Sequence, residues 1–432
     1  MSVATVDRIL EGKHTGKKVT IRGWLYNKRD VGGIIFLLVR DGTGIIQAAV
    51  RKDKVGEKMF KLADDLTQES SLELEGKIKE DKRAPGGYEI EVSSLRAYQI
   101  AEEYPLGKKE HGPDFLLNHR HLWIRSERQR AILRIRDEVV KACRDFFDER
   151  GFVLVDAPIL TPSACEGTTT LFSTDYFGKK AYLSQSGQLY MEAAIAAFGK
   201  VYCFGPAFRA EKSRTRRHLT EFWQVEPEVA FASLDDIIKL QEDLVTYIVK
   251  RVLERREKEL ETIGRDIKPL KKVKPPFPKI SYTEAIDMLK KAGIKIKWGE
   301  DFGVPHERFL SLKFDKPLVI HRYPAKAKAF YMQPDPQDPK VVLCDDLLAP
   351  EGYGEIIGGS ERIWDLDLLL KKIKEFKLPK EAYKWYIDLR RYGSVPHSGF
   401  GLGIERTVMW ICGLDHIRET IPFPRLINRI WP

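Results

Sequence analysis

Residues 208–228 read Phe208-Arg209-Ala210-Glu211-Lys212-Ser213-Arg214-Thr215-Arg216-Arg217-His218-Leu219-Thr220-Glu221-Phe222-Trp223-Gln224-Val225-Glu226-Pro227-Glu228. An apolar run over 201–208 delivers an arginine at its end. A loop crowded with cationic side chains follows, and then a second run begins. Side chains on a strand alternate between faces, so Phe222, Gln224, Glu226 and Glu228 share one face. That face offers an aromatic plane, an amide and two carboxylates. A solvated hairpin with a charged tip accounts for the loop, but not for two acids and a phenylalanine on one strand face flanked by hydrophobes. The stretch therefore predicts a strand–loop–strand unit that carries chemistry.

Two later stretches add to it. In Gly354-Glu355-Ile356-Ile357-Gly358-Gly359-Ser360-Glu361-Arg362 the acid Glu355 lies beside apolar neighbours, which predicts a core strand. A carboxylate there needs a partner, either an arginine or a hard metal ion bound to phosphates. Residues 399–406, Gly399-Phe400-Gly401-Leu402-Gly403-Ile404-Glu405-Arg406, superficially match a dinucleotide fingerprint. That reading fails, because Arg406 stands where the last glycine is required and no strand-helix-strand unit surrounds it. The spacing is not that of a P-loop either. What remains is a strand with little side-chain bulk entering a helix near Glu405. A planar ligand fits on such a strand, with Arg406 over it or against its phosphates.

Working outward, residues 127–150 predict a long helix whose apolar positions Ile132, Ile135, Val139, Cys143, Phe146 and Phe147 mostly step by three or four. Gly151 stops it, and a strand over 152–155 leads to Pro158. The rest mixes strands and helices without regular βαβ alternation, so residues 126–432 predict an antiparallel α+β domain. Residues 251–280, rich in Lys and Glu, read as a solvated helical excursion. With a small subdomain after it, this insertion covers about 251–300 of the chain. Residues 101–125 read as a hinge. Within 1–100, strands are expected over 18–26, 34–40, 45–51, 71–77 and 88–92, with a helix over 57–66 between the third and fourth. Gly32-Gly33, Asp41-Gly42-Thr43-Gly44 and Pro85-Gly86-Gly87 supply turns. This is the order of an OB-fold β-barrel, which often binds single-stranded nucleic acid; a generic small barrel has the same local pattern.

The 432 residues suffice for two or three domains. Lys and Arg number 73 against 63 Asp and Glu, a net +10 that favours a polyanionic partner but is weak by itself. No apolar run is long enough to cross a bilayer, and the N-terminal stretch lacks the apolar core of a signal peptide, so no membrane association and a cytoplasmic location are expected. Cys143, Cys165, Cys203, Cys344 and Cys412 have no paired spacing and read as reduced, mostly buried thiols.

The helix with residues 151–158, the stretch 208–228 and the stretch 399–406 resemble, in order and separation, the three motifs of class II aminoacyl-tRNA synthetases. With an OB-like domain in front, the resemblance covers essentially the whole chain. Its closest form is the aspartyl/asparaginyl/lysyl subgroup, whose OB-fold reads the anticodon. The resemblance implies an ATP-dependent ligase that uses Mg²⁺ and forms a homodimer through the motif-one segment. It places Arg209 on the amino-acid carboxylate and the α-phosphate. Glu211, Arg217, His218, Leu219, Gly403, Ile404 and Glu405 would bind the ATP, Phe222 would lie under the adenine, and Arg406 would cover its other face and reach the γ-phosphate. Glu355 and Asp346 bind Mg²⁺; at Gly358 some relatives carry a metal-adjacent Ser. Phe36 would stack on the central anticodon base and Gln47 hydrogen-bond it, with Arg29 nearby, although Phe36 also suits a barrel core. His397 would line the site without acting as a base, since a carboxylate nucleophile needs none.

The resemblance also bears on the amino acid. Aspartyl enzymes read Gln-Leu-Tyr-Lys, whose lysine neutralises the substrate carboxylate, whereas here Gln188-Leu189-Tyr190-Met191 stands. Methionine cannot pair with a carboxylate. Arg362 would donate to an amide oxygen and Glu226 accept from an amide NH₂, while Glu166, between Cys165 and Gly167-Thr168, would sense the ammonium. Residues 385–398, ending Ser394-Val395-Pro396-His397-Ser398, look like asparaginyl enzymes. Gly187 stands where the family often has Pro or Ala. L-Asparagine, ATP and tRNA-Asn are thus the implied substrates. The rivals are an aspartyl enzyme, an amidating ligase of the same catalytic fold that lacks the anticodon domain, and an inactive RNA-binding paralogue.

Overall fold

The computed structural model describes residues 3–107, 109–166, 170–213 and 215–432. They form two units, Met1–His111 and Gly112–Pro432. In the first, β1 (Lys18–Asp30), β2 (Ile34–Arg40), β3 (Ile45–Arg51), β4 (Ser71–Glu80) and β5 (Tyr88–Gln99) close a barrel in the order β1-β2-β3-β5-β4. Alternation fixes its inside: Ile35, Leu37 and Val39 of β2 are fully buried with Ile46, Ala48 and Val50 of β3. The helix Glu57–Asp65 lies between β3 and β4 in the chain, as an OB-fold requires. β1, β4 and β5 run longer than expected; their extensions are mostly polar, with Ile78 of β4 and Leu95 of β5 as buried apolar residues within them.

The second unit is built on an eight-stranded sheet. Its strands are β6 (Val153–Leu154), β10 (Lys200–Phe208), β11 (Glu221–Ala230), β12 (Lys279–Ser281), β13 (Leu318–His321), β14 (Cys344–Ala349), β15 (Gly354–Glu361) and β16 (His397–Gly403), ordered β12-β13-β14-β15-β16-β11-β10-β6. Only the end pairs β12–β13 and β10–β6 are parallel. A separate small sheet joins β7 (Leu160–Thr161), β9 (Lys179–Leu183) and β8 (Ser173–Tyr176). Register separates the faces of the large sheet. Val225, Leu402, Ile357 and Leu347 stand side by side across four strands and enter the main core. That core is completed by the helices Glu127–Asp148, Leu234–Arg255 and Ile404–Cys412. The intervening rows, Asp346-Gly358-Gly401 and Ser360-Gly399-Glu228, are thereby turned away from it.

Two sequence expectations change. Residues 113–123, placed in the hinge, form the helices Pro113–Asn118 and Arg120–Trp123 of the second unit. Arg120 is buried and donates to the carbonyls of Ile421 and Pro422 and to Gln129, so this segment is fastened at its middle. The stretch 251–280 is not a solvated excursion: Val252, Leu260, Leu270, Val273 and Phe277 are buried in the main core. These few apolar residues, spread among lysines and glutamates, leave no recognisable period. The small subdomain does have its own core, including Tyr282, Ile286, Leu289, Leu310, Ile320 and Tyr323. All five cysteines are buried thiols.

Candidate active site

On the sheet face opposite the main core lie two adjoining cavities of about 510 and 420 Å³, sharing Arg209, Gln224, Asp301, Glu355 and Gly401 as walls. β10 ends at Phe208 and delivers Arg209 between them. Its guanidinium stands 5.4 Å from the Phe222 ring, and its Nε has no hydrogen-bond partner among the described residues. The Oε1 of Gln224 likewise has none among the described residues. Unpaired buried polar atoms aimed at a cavity call for a polar ligand.

The first cavity is lined by Glu166, Ser186, Gln188, Glu226, Glu228, Tyr331, Asp346, Gly358 and Arg362 among others. At its base Arg362 makes a two-pronged pair with Glu228, both bonds 3.0 Å, and donates to Ser360 Oγ at 2.6 Å. Burial alone would lower the Arg362 pKa, but Glu228 outweighs it and keeps the guanidinium charged. Glu226 accepts from the Gly187 N–H at 2.8 Å and from Ser186, and burial raises its pKa. Glu166 accepts from the Tyr331 hydroxyl at 2.9 Å. Behind the wall, Glu192 Oε1 accepts from Gln188 at 3.0 Å, while its Oε2 faces Arg390, Tyr386 and His397.

The second cavity is lined by Glu211, Arg217, His218, Leu219, Phe222, Glu307, Gly403, Glu405 and Arg406. Arg217 pairs with Glu307 at 3.0 Å and reaches the Gly352 carbonyl. His218 lies 3.5 Å from Glu211, and burial, then Arg406, lowers its pKa. Arg406 pairs with Glu355 at 2.9 Å. Burial would raise Glu355, yet Arg406, Lys328 and Arg209 together hold it below the usual carboxylate value. Asp346 behaves oppositely: burial pushes it up to about 6, against the pull of Lys328 at 2.8 Å. Among the described residues no three His, Cys, Asp or Glu side chains converge as a metal cage. Glu355 and Asp346 flank Gly358, however, and two carboxylates suit Mg²⁺, which takes its other ligands from phosphates and water.

This geometry can be compared with known proteins. Residues 112–427 match the model of class II tRNA synthetases (D, K and N), and residues 19–98 match an OB-fold nucleic acid binding domain. The chain belongs to the class II tRNA synthetases. Within that family it is 62% identical over 421 residues to asparagine–tRNA ligase of Pelotomaculum thermopropionicum, and 61% identical over 421 residues to that of Desulforamulus reducens, with 98% of each chain covered in both cases. The crystal structure of asparaginyl-tRNA synthetase from Pyrococcus horikoshii complexed with asparaginyl-adenylate superposes with a TM-score of 0.95. The two are 51% identical, with 97% of each chain covered.

For a class II synthetase, most of the expected side chains are assembled, and several are not where expected. Met191 is fully buried with Ile195, Val201 and Cys203 and does not line the cavity, because on its helix 191 and 195 face β10 while 188 and 192 face the site side. Ile404 is also buried in the main core. Glu405 touches the cavity, but its carboxylate accepts from the Trp223 N–H at 2.9 Å and pairs with Arg136 at 2.7 Å. His397 does not line the site; it sits behind it, 3.0 Å from Glu192. Arg362 and Glu226 both line the first cavity, and Arg362 is in addition joined to Glu228. Gly167, Thr168 and Arg214 lie outside the described residues. Sequence reasoning missed Asp301, Glu307, Lys328 and Tyr331, all beyond the insertion it placed at about 251–300; Lys328 among alanines was the available signal.

In the barrel unit Phe36 is half-buried on the outer side of β2, so the core reading does not hold. Arg29 lies opposite it on β1, its guanidinium 5.3 Å from the ring. Gln47 of β3 donates to Glu89 at 2.7 Å.

Proposed function

We propose that this synthetase activates L-asparagine with ATP and transfers the asparaginyl group to the 3′ end of tRNA-Asn. The observation that carries the amino-acid choice is the Arg362–Glu228 pair. Its charges cancel, and the guanidinium keeps N–H groups beyond the three already used. An amide oxygen can accept from them without bringing charge. An aspartate carboxylate would add an unpaired charge beside Glu228, costing on the order of several kcal/mol.

In the first step an asparagine carboxylate oxygen attacks the α-phosphorus and pyrophosphate leaves; the nucleophile is already ionised, so no base is required. Arg209, at the junction of the two cavities, would touch both the carboxylate and the α-phosphate and stabilise the added charge. Phe222 and Arg406 would sandwich the adenine, with Glu211, Arg217, His218, Leu219 and Gly403 around the nucleotide. Glu166 and Glu226 would hold the ammonium end. Glu355 and Asp346 are the residues to hold Mg²⁺, which would neutralise phosphate charge. In the second step a 3′-terminal hydroxyl of the tRNA attacks the adenylate carbonyl and AMP leaves. Outside the catalytic unit, Phe36, Arg29 and Gln47 would meet the anticodon.

Amino-acid-dependent ATP–pyrophosphate exchange, run with asparagine and aspartate side by side, tests this reading. Exchange with asparagine alone is expected; exchange with aspartate alone would sink it. An amidating ligase is disfavoured by the OB-fold unit. The reading also makes the chain a homodimer through the motif-one segment. It is supported by Val153 and Leu154, 40% and 39% exposed on the edge strand β6, with Ile159 and Leu160 exposed nearby. Light scattering should give a dimer, and Leu154→Glu a monomer; a monomeric native protein would refute the assembly.

A further inference from the structure

Glu226 of β11 stands directly across from Cys203 of β10 in the sheet register, so the two side chains leave the same face side by side. Both residues are nearly inaccessible, at 7% and 4% exposed. Three donors converge on the Glu226 carboxylate. Its Oε1 accepts from the Ser186 hydroxyl, and its Oε2 accepts from the Gly187 N–H at 2.8 Å and from the Cys203 thiol at 3.5 Å. A carboxylate has about four acceptor positions, which leaves one for a ligand of the first cavity, whose wall Glu226 helps to form. Cys203 lies behind that wall, packed with Met191, Ile195 and Val201. Burial, then the Glu226 charge, pushes its thiol well up, so the sulfur keeps its proton and donates it to the acid.

The sulfur fits there because residue 187 has no side chain. A Cβ at 187 would lie 2.5 Å from Cys203 Sγ and 3.0 Å from Ala157 Cβ. The backbone itself does not demand glycine: Gly187 has φ −83° and ψ −6°, in the right-handed region open to any L-residue. What the glycine supplies is the space in which thiol and carboxylate meet. We propose that Cys203 is a positioning residue for asparagine activation, its thiol seated in the gap at Gly187 and fixing the carboxylate of Glu226 that receives the substrate ammonium group. The proposal rests on the proposed function, in which Glu226 holds that group. An S–H group is a weak donor, but a bond to an ionised acceptor in a buried site is stronger than its neutral counterpart.

ATP–pyrophosphate exchange with the full chain tests it. Cys203→Ala removes the donor, and KM for asparagine should rise about fivefold while kcat and KM for ATP stay within about twofold. Cys203→Ser keeps a donor and should recover most of that loss. Gly187→Ala should give a similar rise, because its methyl group displaces the sulfur. The effect of Gly187→Ala/Cys203→Ala should fall well short of the sum of the two single effects, since both break the same contact. Succinamic acid, which is asparagine without its amino group, should compete equally well in the native protein and in every variant, and so shows that each variant keeps its pocket. An unchanged KM for asparagine in Cys203→Ala would overturn the proposal. So would equal weakening of succinamic acid, since Glu226 would then serve the carboxamide end or the pocket as a whole. Additive effects at 187 and 203 would overturn it as well, since the glycine would then act independently of the sulfur. Failure of the native protein to exchange with asparagine would instead defeat the proposed function.

Discussion

The carboxylate of Glu228 reaches Arg362 by passing over Gly399, where any Cβ would collide with its Oε2 and with the Pro227 carbonyl. Gly399 stands between Glu228 and Ser360 in the same row of the sheet, so the missing side chain is what lets the three strands share one polar cluster. Gly399→Ala should therefore break the fork. We expect kcat/KM for asparagine in the exchange reaction to fall at least about tenfold, with KM for ATP nearly unchanged, because a lost charge-assisted contact is worth about 1.5–3 kcal/mol. An equal fall in ATP affinity would show that the glycine serves the sheet as a whole. This residue also marks the limit of reading residues alone. Alternation put Glu226 and Glu228 on one face, but which acid meets Arg362 is set by the pairing of β11, β15 and β16. Met191 failed for a related reason: the identity of a helical residue does not reveal which side of the helix meets the cavity.

Glu192 connects whole elements. It lies on the helix Gln188–Phe198 and accepts from Arg390 and Tyr386 of the helix Lys384–Arg391, and it faces His397 of β16. Burial alone would raise its pKa, but Arg390 and His397 hold it well below the ordinary value of 4.5. A carboxylate depressed in the folded state contributes stability above its unfolded pKa and loses it as pH falls below about 4.5. Glu192→Gln should thus cost about 3 kcal/mol at neutral pH by leaving Arg390 buried without its anion. The gap between variant and native urea midpoints should narrow as the pH drops toward about 3.5. A gap independent of pH would mean that the ion pair is not what holds these helices. Because Glu192 also fixes Gln188, KM for asparagine should rise in the variant. At this scale the strands with apolar alternation and the helix Glu127–Asp148 were legible. The helices Pro113–Asn118 and Arg120–Trp123 were not, since their order comes from Arg120 reaching carbonyls about 300 residues away.

The two units divide the labour. Among the described residues, the buried barrel core runs from Ala4 to Leu95, and both reaction cavities are lined by residues beyond 163. The fold class could be read from sequence because each unit has a local signature, strand periodicity in one and the strand–loop–strand stretch 208–228 in the other. The electrostatic detail could not, since Lys328, Asp301 and Glu307 reach the cavities only through the tertiary placement of the small subdomain. From this separation follows an asymmetry between the two half-reactions. Phe36 is half-buried on the barrel's outer side, and stacking on a base is worth about 1–3 kcal/mol. Phe36→Ala should raise KM for tRNA-Asn by about five- to a hundredfold. Since Phe36 touches neither cavity, asparagine-dependent pyrophosphate exchange without tRNA should be unchanged. If Phe36→Ala instead slowed exchange in the absence of tRNA, the barrel would be coupled to the catalytic unit, and its reading as a separate anticodon surface would have to be abandoned.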